Sequence, residues 1–98
     1  MDLSSRVYQL LERATAVLPL SDEDLISKGI ATSVAERMLA LKKAEARLQE
    51  RYGSREELER KVQTTGVSPD DHALYTDLLE WRAINHEQAE LLHIFETL

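Results

Sequence analysis

Apolar side chains recur at helical spacing along almost the whole chain. Val7, Leu10, Leu11, Ala14, Val17 and Leu18 fall at i, i+3, i+4, i+7, i+10 and i+11, the stripe of an amphipathic helix that begins near Ser4 or Ser5 and ends at Pro19. A second helix starts at Ser21-Asp22-Glu23-Asp24, where the Ser21 hydroxyl can take an early backbone N–H and the acids complement the positive helix end. If it runs on to Tyr52, its buried face is Ile26, Ile30, Val34, Met38, Leu41, Leu48 and Tyr52. Gly29 then costs about 1 kcal/mol relative to alanine, with close helix packing as its reason. If residues 29–33 turn instead, the helices on either side have the outline of a DNA-reading helix-turn-helix. Gly53 ends this stretch as a left-handed cap, and Ser54-Arg55-Glu56-Glu57 restarts the chain with a capping box. A short third helix turns Leu58 and Val62 inward and stops at Gly66. Ser68-Pro69-Asp70-Asp71 then opens a fourth that runs to about Glu96.

Two of these helices carry a seam. Positions 34, 38, 41, 45, 48 and 52 alternate steps of four and three, as in a coiled-coil-like pair, with Glu45 interrupting the apolar run. The fourth helix keeps the alternation through Leu74, Leu78, Trp81, Asn85, Gln88, Leu92 and Phe95. Its polar centre has two readings. A buried Asn85 would fix register and partner number; alternatively the helix rotates, so that Ile84 and Leu91 face inward and both amides reach water. Trp81 likewise either fills the core or anchors an interface. Leu91, Leu92, Ile94, Phe95 and Leu98 ask for two buried sides, more than a small monomer can cover. A dimer is therefore expected, with Leu74, Leu78, Asn85, Leu92 and Phe95 as its self-association residues.

Composition agrees with an all-α domain of three or four helices, an antiparallel bundle or helical hairpin. Only three Gly and two Pro punctuate 98 residues, and Leu, Ala, Glu and Arg outweigh the strand-forming types. That length supports one domain, residues 1–98, with a modest core. Cysteine is absent, which rules out a disulfide framework, and no apolar run is long enough for a membrane span. The first residues lack a basic stretch followed by an apolar one, so the expected location is cytoplasmic.

Charge is unevenly spread. Residues 36–61 hold eight cations against six anions, whereas residues 62–98 hold seven acids against Arg82 alone. The bland account is a solvated helix surface. The sharper one is that the acidic helix steers a basic protein partner, through Asp77, Glu80 and Glu87 facing outward with Trp81 as the anchor. A net charge of -6 argues against nucleic acid as that partner.

Little in the sequence carries chemistry. Glu90 and His93 make a Glu-x-x-His pair with His86 one turn earlier, but carboxylate-bridged metal sites in helical bundles need a second such pair. A metal-dependent enzyme is thus a third reading only, and no metal ligand, catalytic residue or cofactor is assigned. Ser and Thr concentrate at caps, without a base at readable spacing. His72 stands beside Asp70 and Asp71, where a solvated role is expected. No glycine-rich phosphate loop is present.

The stretch Arg51-Tyr52-Gly53-Ser54-Arg55-Glu56-Glu57-Leu58, followed by Asp70 to Trp81, resembles small helical antitoxin-like proteins of prokaryotes, in which a long helix with a Tyr-Gly corner leads to an acidic helix bearing an aromatic. The resemblance covers about residues 39–85. Val7–Leu20 and Ser21–Leu41 are loosely similar to the two helices of a ribbon-helix-helix antitoxin, but Met1–Ser5 is too short for its leading strand. The resemblance implies a cytoplasmic protein that neutralises a toxin by covering it with a helix. The alternative is a helical adaptor or structural dimer without a toxin.

Overall fold

A computed structural model describes residues 4–65 and 72–98. These form four α-helices and no strand: α1 is Ser5–Val17, α2 Asp22–Tyr52, α3 Arg55–Thr65 and α4 His72–Thr97. The expected stop at Gly66 and opening at Ser68 to Asp71 lie outside the described residues.

Local chemistry accounts for the helix ends. Ser4 Oγ accepts the Val7 N–H at 3.3 Å, and Ser21 Oγ accepts the Asp24 N–H at 3.1 Å, so each satisfies one orphan donor. Leu18 still donates its N–H to the Ala14 carbonyl at 2.8 Å, and Pro19, with no N–H to give, follows the end of α1. α2 runs unbroken for 31 residues, so the helix-turn-helix reading does not hold. Across the segment where a turn was possible, Thr32 and Ser33 donate to the Lys28 and Gly29 carbonyls one turn back, at 2.9 and 3.0 Å. Close packing does not explain Gly29 either, because a Cβ there would meet nothing within 4 Å.

At the far end of α2, Gly53 has φ +88° and ψ -66°. The φ is positive as expected, but the ψ places it outside the left-handed helical cap, closer to a γ-turn. Ser54 supplies its half of the capping box by accepting the Glu57 N–H at 3.1 Å. A sharp corner into α3 results.

α2 and α4 run antiparallel, since Arg37 meets Glu87, Glu45 meets Trp81 and Asn85, and Arg51 meets Asp77. Between them and α3 lies the core: Leu41, Leu48, Leu58, Leu78, Trp81 and Ile84, flanked by half-buried Tyr52, Val62, Leu74 and Leu91. Leu58 is wholly buried, so the short α3 acts as a lid over the α2–α4 pair.

That core fills only part of a long molecule. The extents are 62 × 22 × 19 Å and the radius of gyration is 20.2 Å, against about 13 Å for a compact domain of this length. α2, about 46 Å long at the ordinary helical rise, sets the long axis. Beyond the reach of α3 the expected burial is incomplete, with Val34 buried as expected but its neighbours along the stripe not. Ile26 and Ile30 of α2 are exposed, and no residue of α1 is buried: Leu11 and Ala14 are half-covered while Val17 is 83% exposed. The stripes predicted as core are real amphipathic faces, but the described chain covers them only in part: α1 rests Leu11 and Ala14 toward α2 and leaves Val7, Leu10, Val17 and Leu18 exposed.

Candidate functional site

Two features adjoin halfway along the α2–α4 pair, a polar layer and an open apolar groove. The layer forms where both seams are interrupted. Glu45 Oε2 accepts Trp81 Nε1 at 2.8 Å and Asn85 Nδ2 at 2.7 Å, and Asn85 Nδ2 also lies 3.0 Å from Gln88 Oε1. Arg55 of α3 donates to Asn85 Oδ1 at 3.0 Å and to Glu59 Oε1 at 3.2 Å, and Arg82 Nη2 lies 3.5 Å from the same Glu59 oxygen. Desolvation pushes the Glu45 carboxyl up, but hydrogen bonds associated with Asn85, Trp81 and Gln88 together outweigh it and hold the group below the usual carboxylate range. Among the described residues no buried side-chain polar atom lacks a partner.

Asn85 therefore makes its polar contacts between the helices of one chain. The rotated reading is also partly present, because Ile84 is buried and Leu91 half-buried. The amides, however, spend their hydrogen bonds on Glu45 and each other.

Beyond this layer, toward the start of α2 and the end of α4, the two helices border a groove of about 600 Å³. Its walls are Val34, Met38 and Leu39 on one side and Leu91, Leu92 and Phe95 on the other. Glu45 and Gln88 close its inner end, and Lys42 is its one cation. Among the described residues, α3 makes hydrogen bonds or ion pairs with α4 at Arg82 and Asn85 and no further along, so the groove begins where the lid stops. Among the described residues, every exposed large hydrophobic other than Tyr75 and Leu79 belongs to this open half, to α1 or to its C-cap Leu18.

The residues singled out from sequence separate accordingly. Trp81 and Leu78, each 2% exposed, lie inside the chain's own core, so Trp81 is not an exposed anchor and Leu78 is not a surface contact. Leu74 packs against that core, and Asn85 belongs to the polar layer. Leu92 and Phe95 are about half exposed and line the groove, as a contact surface requires.

Of the expected outward acids, Asp77 is turned in. Its side chain is only 16% exposed and accepts hydrogen bonds from Arg51 Nη1 at 3.0 Å and from the Tyr52 hydroxyl. Burial first, and then that bond to Asp77, push the Tyr52 phenol up. Glu87 is gripped by the Arg37 guanidinium through both oxygens, at 2.8 and 3.0 Å, which holds its carboxyl below the usual range. Glu80 remains exposed beside a small cleft shared with Arg47, Arg51 and Asp77, without an ion pair among the described residues. The helix is thus less free in its negative charge than its sequence indicates.

Glu90 and His86 approach to 3.7 Å, and the described residues contain no group of three side chains able to hold a metal. Nor is any described helix long and apolar enough to cross a membrane. Comparison with protein-family models, curated proteins and solved structures finds no significant match, so function is read from this geometry alone.

Proposed function

We propose that this chain is a non-enzymatic protein-binding module, an antitoxin-like protein that neutralises a basic toxin partner in the cytoplasm by covering it with helical surface. The observation that carries the reading is the half-built end of the rod: amphipathic helices ordered over their length whose apolar faces stand in solvent. Extended apolar surface of this kind marks a protein contact. The partner's sign follows from the chain's net charge of -6, together with Glu80, Glu90 and Glu96, which no lysine or arginine of the described residues neutralises. Long-range attraction from such a surface speeds capture of a basic protein.

Co-expression with the product of the adjacent reading frame tests this. The expected result is a stable complex with a small basic protein whose inhibition of growth is relieved. An adjacent product that neither binds the chain nor is neutralised by it overturns the antitoxin reading. The second reading, a helical adaptor or structural dimer, is favoured by the same exposed faces, since two copies can cover each other.

A further inference from the structure

The α2–α4 groove stands open, and α1, although Leu11 and Ala14 rest toward its own α2, leaves Val7, Tyr8, Leu10, Val17 and Leu18 exposed. We infer that α1 of a second copy lies in the groove, and reciprocally, so that two chains exchange their first helices. The inference rests on reading the apolar end as a protein-binding surface and names its occupant.

The dimensions agree. From Val7 to Leu18 the α1 stripe spans about 17 Å, and the α2 wall from Val34 to Glu45 spans the same length at the helical rise. α1 of the same chain cannot serve. It leaves α2 at the Leu18–Ser21 elbow, and its 13 residues folded straight back end near Val34, at the groove's outer edge.

Charge gives the exchange its polarity. Arg6 and Arg13 flank Leu10 on α1. Glu45 lines the inner end of the groove, engaged through one oxygen with neutral donors only, and no described cation stands within ion-pair distance. An incoming arginine supplies the missing counter-charge, and the groove's own Lys42 lies one turn away. Area agrees as well. Half-exposed Leu10, Leu39, Leu92 and Phe95 and their neighbours each have on the order of 100 Å² to lose. Counted over α1 and the groove of each copy, this approaches the roughly 800 Å² per partner of a stable interface.

Light scattering after size exclusion at micromolar concentration should give twice the chain mass. Leu10→Gln alters only the α1 face and Leu92→Gln only the groove. Both positions are exposed and glutamine suits a helix, so circular dichroism should be unchanged. Each variant should weaken dimerisation at least about tenfold. Mixed, they should form a heterodimer at concentrations where neither dimerises alone, because one site is unsubstituted and both substitutions fall together in the other, whose contact either one already removes. A monomeric parent overturns the exchange, as does a dimer indifferent to both variants or a mixture without rescue. A monomeric parent that binds the basic partner would leave the protein-binding reading standing, while a dimer that ignores the partner would do the reverse.

Discussion

Glu45 on α2 and Asn85 on α4 lie 40 residues apart in the chain and 2.7 Å apart in space. They are polar breaks in two seams that, Gln88 apart, are otherwise apolar, and they fall at the same level of the antiparallel pair. A one-turn slip that set Glu45 between Leu78 and Trp81 would strand a carboxylate in apolar surroundings, so the layer disfavours that register.

The layer makes stability depend on acid. Because the Glu45 carboxyl is held below its usual range in the folded chain, its contribution is fully present above the unfolded pKa, about 4.3. It is lost as pH falls through the lower folded value. Melting temperatures between neutral and strongly acidic pH should therefore fall for the parent, and less steeply for Glu45→Gln. Parallel profiles would exclude this group as a source of acid sensitivity.

Core and groove should respond differently to truncation. Trp81→Ala removes a buried indole and one of the donors to Glu45, and should cost about 3 to 5 kcal/mol in chemical denaturation. Leu92→Ala, at a half-exposed position, should cost under about 1 kcal/mol when measured on monomeric chain. Equal costs would show that the groove is closed in solution.

The two described glycines should respond with opposite signs. Gly29 lies in the interior of α2 with open space where a Cβ would stand, so Gly29→Ala should stabilise by about 0.5 to 1 kcal/mol. At Gly53 the backbone has φ +88°, and a Cβ would sit 2.6 Å from Glu57 Oε2. Gly53→Ala should destabilise by about 1 kcal/mol or more. Thermal melts of the two variants read both effects, and matching signs would contradict the corner described here.

Helix positions were legible because their signals are local. Ser4, Ser21 and Ser54 are caps wherever the rest of the chain goes, and the four-three spacing of α2 and α4 survives without knowledge of their partner. What covers each face is a long-range matter. The stripes of α1 and early α2 read like those that become core, and only the short reach of α3 separates them. The pairing of Glu45 with Asn85 was available in principle, because both interrupt their seams and antiparallel helices can align such breaks. Arg37–Glu87 and Arg51–Asp77 offered no comparable signal, since each needs the register first. Without them, Asp77 and Glu87 looked free.

The bare surface of α1 also bears on how any association is driven. A 13-residue helix with no buried residue is marginal in water on its own, because nucleation is costly and few backbone bonds offset it. Its order therefore depends on being covered. Docking α1 is in part a folding reaction: it pays chain entropy at the moment of contact, carries the negative heat-capacity change of newly dried apolar surface, and leaves the α1 amides exchanging with solvent whenever the contact opens.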